Sequence, residues 1–158
     1  MTLQSLGILG VLAVAGSFGA VLRYLIDESV TGRQMRRDPS QKRHFPWGIF
    51  TANTLACFLL AAALGVAACT GVPLELDRLF GTPAVPIDAT YMASVLLLAL
   101  TIGLCGSLST MSTLMVSVVS LLRSGARILA ISYLVLSMVA GLGAGILGFF
   151  ASSLLLGP

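Results

Sequence analysis

The chain has 158 residues, of which 57% are hydrophobic and 9% charged, with a formal net charge of +3 and a mean hydropathy of +1.01. Soluble domains carry about 25% charged residues, so these figures exclude a water-soluble domain and indicate an integral membrane protein. A helix needs about 20 apolar residues to cross roughly 30 Å of hydrocarbon. The length therefore suits an all-α integral membrane fold: a single membrane domain over 1–158 with four spans at about 3–26, 47–69, 90–122 and 128–156.

The first apolar run, Leu3 to Ile26, exceeds the roughly 7–15 apolar residues of a secretory signal and has no basic start, so it reads as a retained span. Gly16 and Ala20 fall at helical spacing and let helices approach closely. Arg23 shares their face and precedes Tyr24; it can snorkel to the interface or line an anion vestibule. The connector that follows, "DESVTGRQMRRDPSQKRHFP", is polar and basic.

The second run, Trp47 to Cys69, contains Asn53, the single amide in the interior of an apolar run and the chain's one asparagine. Read as a pore donor, Asn53 is expected to matter for ion flux, with Asn53→Ala leaving folding intact. A connector rich in proline and glycine, "TGVPLELDRLFGTPAVPID", leads to the third run, Thr90 to Leu122, which has no charged residue. As one continuous helix that run would be ~50 Å long, and "GLCGSLSTMST" at 103–113 is expected to break it near 103–109. Breaks expose backbone groups that protein, water or an ion must satisfy, so they cluster where ions bind; a kink used only for packing is the alternative.

Ser109, Thr113 and Ser117 recur at i, i+4 and i+8 and would form a hydroxyl stripe on one helix. After the short basic connector "RSGAR", the fourth run, Ile128 to about Leu156, repeats the pattern with Tyr133, Ser137 and Gly141; Gly141 and Gly145 also allow close packing. Any one of these hydroxyls can bond the carbonyl one turn back, but two stripes and an amide together favour a polar track. The cysteines Cys57, Cys69 and Cys105 are odd in number, follow no ligand spacing and read as small apolar packing residues.

Asp27, Glu28, Asp38, Glu75, Asp77 and Asp88 are the only acids, and each lies in a connector or at a span end. This argues against a proton-coupled transporter, a carboxylate-lined cation pore and a small multidrug-type exporter, all of which use intramembrane acids. Enzyme motifs such as HExxH and GxSxG are absent, and the lone His44 has no partner, so an enzyme is not expected. Donors without acids suit an anion. Of the nine basic residues, Arg23, Arg33, Arg36, Arg37, Lys42, Arg43, Arg123 and Arg127 fall on one side of a four-span chain and Arg78 on the other. The positive-inside rule then puts both termini outside the cell membrane. Anionic lipid contact fits the basic connector; nucleic acid does not, for want of aromatic interleaving or a basic helix.

"GSFGAVLRY", "WGIFTAN" with "ACF", "GLCGSLSTMST" and "YLVLSMVAG", one per span and in this order, resemble the Fluc/CrcB fluoride channel family. The resemblance implies a passive, fluoride-selective channel built as an antiparallel dimer with two pores and a structural, untransported sodium ion at its centre. It further implies Gly106 and Ser109 as sodium ligands through backbone carbonyls, and Asn53, Thr110, Thr113, Tyr133 and Ser137 as pore-lining donors. Met111 and Leu114 stand where the family usually has two pore phenylalanines, Ser117 where a glutamate is expected, and Ala56 and Ala61 where glycines follow the asparagine. Two readings follow: a fluoride channel subunit, or a structural partner completing a sodium-centred dimer whose working pore uses another subunit's phenylalanines. An antiparallel homodimer favours balanced charge, whereas the basic residues here divide eight to one, so the preferred partner is a second, paralogous Fluc-like subunit in a heterodimer.

Overall fold

The computed structural model describes residues 3–37, 45–72 and 88–157. Asp38, Lys42, Arg43, His44, Glu75, Asp77 and Arg78, which entered the charge reading, lie outside the described residues. Among the described residues every regular element is helical, and four helical stretches are long and apolar enough to cross a membrane.

Helix α1 (Leu3–Arg37) has 35 residues and no proline, giving it a length of ~52 Å. It does not stop at Ile26 but carries the polar segment from Asp27 onward in the same helix. Helix α2 (Trp47–Thr70) starts directly after Pro46 and ends where Gly71 takes the left-handed conformation, φ 66°, a stop that favours glycine. Helix α3 (Ala89–Leu98) is capped by Asp88, whose carboxylate accepts the Tyr91 N–H at 2.7 Å. Helix α6 (Arg127–Leu156) follows a tight turn in which Gly125 has φ 79°.

The third span is interrupted in two ways. After α3 the backbone is wound as a π-helix over Ala99–Cys105, then returns to one α turn, α4 (Gly106–Leu108). Ser109 (φ −93°, ψ 130°) and Thr110 (φ −136°, ψ 123°) are extended, and α5 (Met111–Arg123) begins beyond them. The chain thus stays helical through 103–108 and opens at its far edge, at Ser109 and Thr110. Ser109 consequently lies off α5, and the single stripe expected of Ser109, Thr113 and Ser117 does not form, because a continuous helical period cannot be carried across two extended residues.

Close approach is set by glycines. A Cβ on Gly19 would collide with the Leu104 carbonyl and come within 3.1 Å of the Ser107 Cβ, while one on Gly103 would come within 2.8 Å of the Ala15 Cβ and 3.1 Å of the Leu12 carbonyl. These reciprocal contacts seat α1 against the π-helical segment. The main pairing, α2 along α6, works the same way: Gly148 faces the Phe58 carbonyl, Gly65 faces Ser152, and Gly141 would bring a Cβ within 3.3 Å of the Cys57 Sγ. A Cβ on Gly16 would lie 3.8 Å from the Gly103 carbonyl, and one on Gly145 3.9 Å from the Ala61 Cβ. Side-chain burial is confined to small clusters, with Ile8, Val95 and Leu98 joining α1 to α3, and Ala52, Ala56 and Leu108 joining α2 to α4.

Gly19→Ala is expected to lower the thermal unfolding midpoint of the detergent-solubilised protein, at an overpacking cost of ~1–3 kcal/mol. Gly7→Ala is the control, with no atom within 4 Å of the added carbon, and should leave the midpoint unchanged or raised.

Candidate functional site

The opened turn at Ser109 and Thr110 needs partners for backbone groups that a helix would have satisfied internally. In an unbroken helix the Thr110 N–H would donate to the Gly106 carbonyl; here it donates to Asn53 Oδ1 at 3.1 Å. A backbone N–H can meet only the oxygen of an amide, so this bond fixes the Asn53 side chain. Its Nδ2 is left with both protons unused among the described residues. Asn53 is therefore a structural acceptor, and this bond is a physical reason for alanine there to cost stability.

The same opening frees carbonyls. Gly106 loses the Thr110 N–H, and Ser109 lies outside α5, so no backbone hydrogen bond reaches either oxygen from the residue four further on. Gly106 is exposed, and an added Cβ would meet only the Thr101 carbonyl, at 4.0 Å. Among the described residues no cluster of three or more histidine, cysteine, aspartate or glutamate side chains exists.

Arg23, half-buried on α1, donates from Nη1 to Thr110 Oγ1 at 2.8 Å. Arg23 thus makes a defined contact across the helix pair. Thr110 Oγ1 is in turn hydrogen-bonded to Thr113 Oγ1, and the Ser117 hydroxyl donates to the Thr113 carbonyl at 3.0 Å. Arg23, Asn53, Thr110 and Thr113 therefore form one connected group at the N-terminal end of α5. Ser117 instead makes the local bond to the carbonyl one turn back.

Tyr133 on α6 is fully buried, packed with Leu114, Leu121 and Ala130. The hydroxyls of Tyr133 and Ser137 are buried and make no hydrogen bond of good geometry, but the Ser117 and Ser137 hydroxyls lie close enough to the Tyr133 hydroxyl to interact with it as loose hydrogen-bond partners. The two positions expected to hold aromatic rings diverge: Leu114 is 6% exposed and belongs to the Tyr133 cluster, whereas Met111 is 58% exposed and faces away. Sequence reading missed Phe45, whose ring meets Tyr133 edge-on at 5.0 Å and 82° and also contacts Trp47 and Phe50. The cue was present as three aromatic residues flanking Pro46. All three cysteines are free, with Cys105 buried and Cys69 exposed at the end of α2.

The pattern of the family described as CrcB-like protein, Camphor Resistance (CrcB), matches residues 10–149. The chain belongs to the CrcB family. It is 39% identical over 138 residues to the protein named Fluoride-specific ion channel FluC 1 of Frankia casuarinae, covering 87% of this chain and 90% of that one. With the Fluoride-specific ion channel FluC 1 of Streptomyces avermitilis identity is 34% over 145 residues, covering 90% and 95%. With the Fluoride-specific ion channel FluC of Phocaeicola vulgatus it is 31% over 139 residues, covering 88% and 93%. These relatives are named as ion channels, and the chain itself, with four helices able to cross a membrane, is a multi-pass membrane protein.

Asn53→Ala leaves the Thr110 N–H without an acceptor in hydrocarbon and should lower the thermal midpoint, at a cost of ~1–3 kcal/mol. Asn53→Asp keeps an oxygen at the same reach and should unfold at a higher temperature than Asn53→Ala; the reverse order would show that the Asn53 oxygen does not hold the break.

Proposed function

We propose that this chain is a subunit of a fluoride-selective channel that lowers cytoplasmic fluoride by passive export. One observation carries the reading: the hydroxyls of Tyr133 and Ser137 are buried without a well-formed hydrogen bond in spans that contain no carboxylate. Burying an unsatisfied hydroxyl is costly, and an anion that accepts from it removes the cost. Fluoride is small and strongly hydrated, so only closely placed donors can replace its water. Such donors are the Asn53 amide, the Thr110 and Thr113 hydroxyls, Tyr133 and Ser137, with the Arg23 guanidinium at the same group. The names of the relatives support the same ion.

The family resemblance adds a structural sodium ion, and the residues fit it. The Gly106 and Ser109 carbonyls are the hard oxygen ligands a sodium ion takes, freed by the break, with Gly106 exposed on this subunit. With no acidic cluster among the described residues, backbone oxygens are the available ligands. The ion's contribution is to hold two broken spans together across a dimer.

The partner in that dimer is a second Fluc-like subunit, and the preferred assembly is an antiparallel heterodimer with a paralogue. Two observations favour it: the eight-to-one division of basic residues, which selects a single insertion with both termini outside, and Met111 facing outward where an aromatic ring would line a pore. Balanced against them is the simpler homodimer, which would conduct without those rings.

Fluoride efflux from liposomes tests the function. Tyr133→Phe and Ser137→Ala should each reduce efflux on the order of tenfold while leaving thermal stability unchanged or raised, because each removes a buried group with no well-formed hydrogen bond. Unchanged efflux in both variants would refute the reading, and vigorous efflux by the wild-type chain alone would remove the heterodimer. Purification with a large organic cation in place of sodium should separately weaken the dimer on size-exclusion chromatography; an unaffected dimer would remove sodium from the assembly.

A further inference from the structure

We infer that Arg23 is a positioning residue that orients the Thr110–Thr113 hydroxyl pair as a proton donor toward the permeating anion, acting through its hydrogen bond and not through its charge alone. The inference rests on the fluoride reading above. A threonine hydroxyl has one proton and two lone pairs. Arg23 Nη1 donates to Thr110 Oγ1 at 2.8 Å and so occupies one of that oxygen's lone pairs. The Thr110–Thr113 hydrogen bond consumes one of the pair's two protons. Whichever threonine donates within the pair, one hydroxyl proton remains and no other group among the described residues takes it.

The direction of polarity then follows. A hydroxyl that accepts from a guanidinium becomes a stronger donor, since successive hydrogen bonds polarise one another in a low dielectric. The favoured order is Arg23 to Thr110 to Thr113, with the leftover proton on Thr113, one helical turn before Ser117. Without Arg23 both lone pairs of Thr110 are open, and the pair can turn a lone pair outward to water or a cation. Arg23 has the freedom to do this, because among the described residues no carboxylate pairs with it; Asp27, one turn along α1, accepts instead from Thr31 at 3.1 Å. The backbone of Thr110 is pinned independently by Asn53, so the hydroxyl can be altered without releasing the break.

A double-mutant cycle separates this role from a charge acting at a distance. Wild type, Arg23→Met, Thr110→Val and the double variant are reconstituted in liposomes, with the partner subunit if one is needed, and fluoride efflux is measured over a range of fluoride concentrations at low and high salt. Each single variant should raise the half-saturating fluoride concentration on the order of tenfold. The double variant should be no worse than either single one, the defects should persist at high salt, and Thr110→Ser, which keeps the hydroxyl, should behave as wild type. A field effect would be screened by salt and would multiply with the loss of Thr110. Multiplicative losses in a chain that passes fluoride, or Thr110→Ser failing like Thr110→Val, would overturn this inference alone; a wild-type chain that passes no fluoride would overturn the functional reading beneath it.

Discussion

Inside hydrocarbon no water is present to bond an opened helix turn, so each freed N–H and carbonyl needs an answer from within the protein or from a ligand. The hydrogen bond from the Thr110 N–H to Asn53 Oδ1 meets that requirement at the point where the third span opens. It ties α5 to α2, decides which end of the Asn53 amide is free, and leaves the Gly106 carbonyl without its helical donor. Two kinds of reactive surface therefore come from one substitution of partners: donors on the side chains around Thr110, and acceptors on the backbone one turn earlier.

That bond requires three helices to lie closer than ordinary side chains permit. The π-helical winding of Ala99–Cys105 and the glycines Gly19 and Gly103 bring α1 and the third span into backbone contact. In lipid there is no hydrophobic force to press helices together, so close packing of small residues supplies the association. The position of Arg23 depends on it: its reach to Thr110 crosses between elements 87 residues apart in sequence. Packing and polar chemistry are coupled here, since loosening the glycine contacts would withdraw the guanidinium from the hydroxyl it bonds.

The four spans, the break and Asn53 were legible because each leaves a local trace: low charge, a run too long for one bilayer crossing, a lone amide in an apolar segment. The details around the break were not. Assigning Ser109, Thr113 and Ser117 to one face assumes a constant helical period, and the extended residues Ser109 and Thr110 cancel it. The partner of Arg23 could not be read from its own helix, because Thr110 is far along the chain. The aromatic residues around Pro46 were a cue to Phe45, but its edge-on contact with Tyr133 on α6 has no sequence spacing to reveal it.

The polarity of the site is set by which half of each neutral group the protein uses up. Asn53 spends its oxygen on the Thr110 N–H and keeps its NH2; Thr110 spends a lone pair on Arg23 and the threonine pair keeps a proton; Tyr133 and Ser137 are held by no well-formed hydrogen bond. Ser117, which gives its proton to the Thr113 carbonyl, is the exception and is left with lone pairs. Neutral side chains that could face either sign of charge are thus biased toward donation by their internal bonds, without a carboxylate or a second cation among them. Such bias costs less than burying charged residues in a bilayer, and it places the selectivity of the track in hydrogen-bond direction, which a composition count cannot register.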